Sequence, residues 1–408
     1  MTFADEVKSA VTTRAALLVI GVLALQLLFI ASYVGALHRP DPTDVAFGVV
    51  APKQTSGQVV AQLDRLPGGP LDPRAVADEG EARRQIQNRD LDGALIVSPT
   101  GSTDTVLVAS GGGTVLANTL VKIIKEADGP RGRTVRTVDV APASPGDFNG
   151  LSSFYLVVGW CVGGYLCASI LAISAGAKPA NRQRAVIRTG VMALYSIAGG
   201  IGGAIIIGPI LGALPGSFWA LSGLGALIVF AVGMITLALE ALTGIVGIGL
   251  AVLIVVIAGN PSAGGAFPLP MLPDFWRAIG PALPPGAGTW TARSIAYFRG
   301  NAVTGPLLVL SAWAVVGTIL TLFLSMRRRD TDGGGMGDGG MGGRGTGGGD
   351  TGGRGMGSGG MGGGDTGGRG MGSGGMGGGG TGGRGMGGGD TGGTPPEAAP
   401  SGGSTRRG

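Results

Sequence analysis

The sequence predicts a six-span helical membrane protein carrying one α/β domain and a low-complexity tail. Three observations predict it. Six apolar stretches are long enough to cross a bilayer, because a hydrocarbon core of about 30 Å takes about 20 residues of helix. The basic residues gather at three places along the chain. Between the first two stretches lies a soluble segment, His38–Gly150, too long to be a loop. Only helices can cross in such runs, since each backbone N–H must find its partner within its own segment.

The N-terminal residues 1–14 carry Lys8 and Arg14 and precede the first span, Ala15–Leu37. That span has no formal charge, is longer than a signal-peptide core, and is followed by no small-residue cleavage site. It reads as a retained helix.

Within His38–Gly150 the pattern alternates between strand and helix. VAFGVV (Val45–Val50), ALIV (Ala94–Val97), TVLVA (Thr105–Ala109) and TVRTVDV (Thr134–Val140) read as strands. Ser56–Leu66, Glu79–Arg89 and the amphipathic Thr114–Glu126 read as helices. Such alternation argues for a compact α/β layer. Its carboxylates Asp78, Glu79, Glu81, Asp90 and Asp92 read as a solvated face.

Spans 2 to 6 are expected at Phe154–Ala175, Gly190–Leu211, Phe218–Leu239, Ala241–Ala258 and Val303–Met326. The fourth and fifth meet at Glu240 almost without a loop and form a tight hairpin. Gly259–Ala302 is rich in proline and holds Trp276 and Trp290, and its Phe275, Trp276 and Tyr297 suit the bilayer interface. Short helices at Asp274–Ile279 and Thr289–Phe298 fit this segment. The tail, Thr331–Gly408, repeats DTGGRGMGSGGMGGG with a period of 15. Glycine-rich sequence has little to bury, so disorder is expected there. Its sparse arginines lack interleaved aromatics, and no nucleic-acid partner is expected.

The net charge is +5, and its placement sets the threading. Lys8 and Arg14, then Lys178, Arg182, Arg184 and Arg188, then Arg327, Arg328 and Arg329 fall on one side if every span crosses. The positive-inside rule makes that side the cytoplasm, with both termini inside and His38–Gly150 outside, in a multi-pass cell-membrane protein.

Chemistry-bearing motifs are few. There is no G-x-x-x-x-G-K-[ST] loop, so any ATP-driven step needs a separate ATPase chain. The single histidine, His38, has no partners nearby in sequence. Cys161 and Cys167 share one span and suit neither a disulfide framework nor a zinc site. No metal, cofactor or catalytic residue is expected. Acidic relay groups of the kind proton pumps hold deep in the membrane are missing from the spans. Gly159 and Gly163, and again Gly199 and Gly203, have the G-x-x-x-G spacing that lets helices approach closely, within the bundle or across a dimer.

Three runs carry a resemblance: DLDGALIV (Asp90–Val97), GLSSFYLVVGWCVGGYL (Gly150–Leu166) and LPPGAGTWTARSIAYFRGN (Leu283–Asn301). In these, and in its layout over residues 10–328, the chain resembles the membrane component of type-2 ABC exporters. The likeness is to the branch with a large outer domain between spans 1 and 2, which includes the phage-infection (Pip) group. The resemblance implies a permease subunit moving a lipidic, hydrophobic or peptide cargo as a homo- or heterodimer. It implies an ATPase contact through Lys178, Arg182, Arg184 and Arg188. Two further readings stand beside it: an envelope protein whose outer domain binds a wall component or phage, and a sensor whose outer domain binds a ligand.

Overall fold

A computed structural model describes residues 12–175 and 182–326, which belong to one compact unit. The repeat tail and Lys178 lie outside the described residues. The chain opens with helix α1, Thr13–Leu37, capped by the Thr12 hydroxyl, which accepts from the Ala15 amide. His38 closes it, its Nδ1 2.9 Å from the Val34 carbonyl oxygen.

The α/β domain follows as β1 (Val45–Val50), α2 (Lys53–Asp64), β2 (Leu71–Ala75), α3 (Glu79–Gln87), β3 (Gly93–Ile96), β4 (Thr103–Val108), α4 (Thr114–Asp128) and β5 (Thr134–Asp139). The sheet order is β2-β1-β3-β4-β5. β1 runs parallel to β2 and β3, β4 runs antiparallel to β3, and β5 runs parallel to β4. Strand β2 was not expected, because Pro73 and two charges interrupt it. Its place at the sheet edge explains how it tolerates a proline, whose missing N–H breaks no central ladder.

The sheet buries both faces. Val45, Phe47 and Val49 pack with Leu63, Leu120 and Ile124 on one. On the other, Ala82, Ile86, Leu91 and Leu107 form a core continuous with Ala213, Leu214, Tyr297 and Phe298. The domain is thereby fused to the bundle by shared apolar burial rather than tethered to it.

The bundle continues as α5 (Ser152–Ala175), α6 (Arg182–Ile205), α7 (Phe218–Thr243), α8 (Val246–Ser262), α9 (Asp274–Ile279), α10 (Pro284–Tyr297) and α11 (Thr304–Met326). Helix α6 extends through a wide π turn, Ile206–Ile210, around Pro209. Helix α7 is the axis: 72% of its apolar window is buried inside the protein, against 6% for α1. Neighbouring helices approach it at glycines. A Cβ at Gly164 of α5 would lie 2.8 Å from the Val229 carbonyl oxygen, and one at Gly317 of α11 2.6 Å from the Ile235 nitrogen.

Among the described residues five helices are long and apolar enough to cross a membrane. The expected span Ala241–Ala258 is not one of them. Ala241–Thr243 complete α7, Gly244 breaks the chain with φ 69°, and the next helix is Val246–Ser262. At 1.5 Å per residue that helix reaches about 25 Å, short of a full bilayer core. It contains a π segment, Leu253–Gly259. It still runs from one end of the bundle to the other, with Gly247 against the Glu240 backbone and Ser262 against Gly280. Glu240 is no boundary residue either: it lies inside α7 and is 1% exposed. The hairpin turns at Gly244 instead.

Candidate functional site

Where the α/β domain meets Ala263–Pro306, the structure encloses a cavity of about 450 Å³. That lies within the usual size range of small-molecule sites. Its wall is mostly apolar, including Leu91, Leu116, Pro268, Leu269 and Ala287. The charged side chains in it are Arg89, Asp92 and Arg293.

Arg89 is placed by the end of α3. Asp78 caps the helix start by accepting from the Glu81 amide at 2.8 Å, and Asn88 closes it. The next residue, Arg89, takes a left-handed backbone (φ 64°), uncommon for a side-chain-bearing residue. Its guanidinium lies over the Trp290 ring, 3.3 Å from the centroid, and 4.8 Å from that of Phe298. Nη1 donates to the Trp290 carbonyl (2.9 Å) and to Ser294 Oγ (2.8 Å).

Arg293 comes from α10, which starts with Pro284 and Pro285 where a missing N–H costs nothing. It is 3% exposed. Nη1 donates to the Gly264 carbonyl (2.6 Å), and Nη2 to those of Gly265 (2.8 Å) and Gly150 (3.2 Å). Its Nε is buried without an acceptor. One turn on, Tyr297 donates to Asp147 Oδ2 at 2.5 Å, while Asp147 Oδ1 accepts from the Ser152 amide at the head of α5.

Burial pulls Arg89 down to about 9, with Arg293 adding repulsion and Asp92 opposing both. Burial likewise lowers Arg293 to about 10, against the attraction of Asp147 and Tyr297. Both guanidiniums remain charged at neutral pH. Burial raises Asp92 to about 6, partly offset by Arg89. Asp92 therefore does not belong to the solvated acidic face expected of it. Asp78, Glu79 and Glu81 do stay near the surface of α3, where Arg83 pairs with Glu79 and Arg84 with Glu81.

The G-x-x-x-G residues lie elsewhere. Gly159, Gly163, Gly199 and Gly203 line one hollow of about 340 Å³ between α5 and α6, with Trp160 and Tyr195. Trp160 Nε1 donates to the Gly199 carbonyl at 3.0 Å and its ring covers Gly203. Nothing approaches Gly159 within 4 Å of where a Cβ would be. Of the basic set, Arg182 opens α6 and Arg184 is exposed. Arg188 is 5% exposed and faces the bundle interior, with Glu240 as an electrostatic neighbour. Cys161 and Cys167 are free thiols. Among the described residues no group of three or more His, Cys, Asp or Glu is placed to hold a metal.

The junction cavity was not foreseen. Arg89 and Arg293 are 204 positions apart, and the sequence offers no periodicity that joins them. The available signal was local: Arg293 is the one charge in PPGAGTWTARSIAY, a helix of small and apolar residues.

No protein-family model, curated protein or solved structure matches the chain. Fold and site alone define the class: a multi-pass membrane protein whose α/β domain is fused to one end of a helical bundle. A cavity lies at the seam.

Proposed function

We propose that the chain is the permease subunit of an ABC-type exporter in a cell membrane, moving a lipidic, hydrophobic or peptide cargo with a separate ATPase. The observation that carries this is the apolar cavity at the seam of domain and bundle. A pump for greasy cargo needs a shielded compartment next to the membrane. In this reading α8 crosses with the five longer helices, although it is shorter than they are, and the number of crossings is even. The basic residues Arg182 and Arg184 open α6 at the end away from the sheet. Under the positive-inside rule that end faces the cytoplasm, the α/β domain faces outwards, and both termini lie inside. The open face at Gly159 would serve a homo- or heterodimer contact.

Mild-detergent purification of the full chain tests this. A nucleotide-binding protein should come with it, and Arg182→Glu with Arg184→Glu should lose that protein. Normal capture by the double variant would remove this helix start from the contact.

A second reading is favoured by the same cavity. An envelope protein or sensor would bind its ligand there and use the helices as an anchor. Capture of no ATPase under conditions that keep the cavity's ligand bound would select it.

A further inference from the structure

We infer that the junction cavity binds an amphipathic anion, with one apolar tail and a phosphate or carboxylate head, and that the head sits against Arg293 and Arg89. The inference rests on reading the cavity as the cargo or ligand site, and it names the chemistry of what enters.

Charge is the first ground. Arg83, Arg84, Arg131, Arg133 and Arg277 each have a carboxylate within ion-pair distance. Arg89 and Arg293 have none among the described residues, although both line an apolar wall. Asp92 is the one carboxylate in that wall, against two guanidiniums. Asp147, the next acid, is occupied by Tyr297 and the Ser152 amide. The cavity therefore carries an excess of positive charge in apolar surroundings, where an anion is held far more strongly than in water.

Unfilled valence is the second. Arg293 Nε is buried and has no acceptor. Buried donors are nearly always satisfied, so this one leaves the Arg293 charge incompletely compensated inside the protein. On Arg89, both side-chain hydrogen bonds leave from Nη1. Its Nε and Nη2 make none among the described residues. A planar fork with free N–H groups suits the oxygens of a phosphate or carboxylate.

The tail follows from the remaining wall and the mouth. Leu116, Leu269 and Pro268 offer no polar group to a ligand. Thr304, Gly305 and Pro306 also line the cavity, and they are the first turn of membrane-crossing α11. Thr304 and Gly305 are exposed. A ligand leaving past them emerges at the end of a membrane-crossing helix, next to the bilayer interface. That favours a membrane-derived amphiphile over a free inorganic anion.

The test uses the full chain in phosphatidylcholine nanodiscs and a radiolabelled single-chain lysophosphatidate. Saturable binding is expected, with competition by oleate but not by monoacylglycerol or inorganic phosphate. Arg293→Gln and Arg89→Gln should each weaken binding tenfold or more. Thr304→Trp, at the exposed rim, should block binding while leaving the melting temperature unchanged, which keeps the test decisive if an arginine variant does not fold. Equal competition by monoacylglycerol would overturn the anionic head. Equal competition by inorganic phosphate would overturn the membrane source. Unchanged binding in Thr304→Trp would put the ligand elsewhere and sink the site. Saturable binding without a captured ATPase would end the exporter reading and leave the site standing. A captured ATPase without saturable binding would do the reverse.

Discussion

The two ends of the bundle are built differently. At the domain end, distant parts of the chain are tied by polar contacts in tight packing. Arg277 donates to the Thr43 carbonyl at 3.0 Å, Asn301 to that of Gln87 at 3.0 Å, and Arg293 to that of Gly150 at 3.2 Å. Backbones touch there without side chains between them, as at Gly280 against Ser262 and Gly216 against Ile295. At the other end close backbone approach recurs where Gly247 meets Glu240, beside the buried Arg188. The α/β domain has no counterpart there. The difference teaches that the seam is the specialised part of the molecule. A stack of helices needs little beyond apolar surface, whereas a charged cavity needs fixed walls.

That contrast can be broken by substitution. The largest effect is expected at Gly280. A Cβ there would overlap the Ser262 carbonyl oxygen, which is backbone and cannot swing away. Gly280→Ala should cost about 3 kcal/mol, the upper range for overpacking. Gly159→Ala, with open space around it, should stay within about 0.5 kcal/mol. Thermal unfolding of both purified variants checks the pair, and equal losses would erase the distinction. Arg293→Met comes next. It strands three buried carbonyls, Gly150, Gly264 and Gly265, and should cost about 2 kcal/mol. Trp290→Leu removes the ring under Arg89 and should cost about 1 kcal/mol from the lost cation–π contact.

A pH dependence is expected at Asp92. Its folded value, about 6, lies above the ordinary 3.8. The folded state then holds that proton more tightly than the unfolded chain. Its contribution is full below pH 4 and is lost as pH rises through about 6. Stability curves over pH 4 to 6 should therefore fall less steeply in Asp92→Asn than in the natural chain. Parallel curves would show that Asp92 is not desolvated at the seam.

Much of this architecture was legible because its causes are local. Long uncharged runs located α1, α5, α7 and α11, and short β-branched runs located β1, β3, β4 and β5. Strand β2 was hidden because LDPRA has neither alternation nor apolar mass, and only an edge position tolerates its proline. The end of α7 was misread because Glu240 is charged. Charge in sequence marks a boundary only when no opposite charge is near, and Arg188, 52 positions earlier, supplies one. The cavity was illegible for the same reason on a larger scale. Arg89 looked like the end of a solvated helix, and only the fold turns it under Trp290.

Thiol labelling on intact cells tests the threading directly, in a background with Cys161 and Cys167 replaced by alanine. Ser102→Cys sits on the exposed rim of the sheet, and Thr243→Cys on an exposed turn at the opposite end of the bundle. A membrane-impermeant maleimide should tag Ser102→Cys in intact cells and Thr243→Cys only after lysis. Tagging of Thr243→Cys in intact cells, or protection of Ser102→Cys until lysis, would contradict an outward-facing domain end.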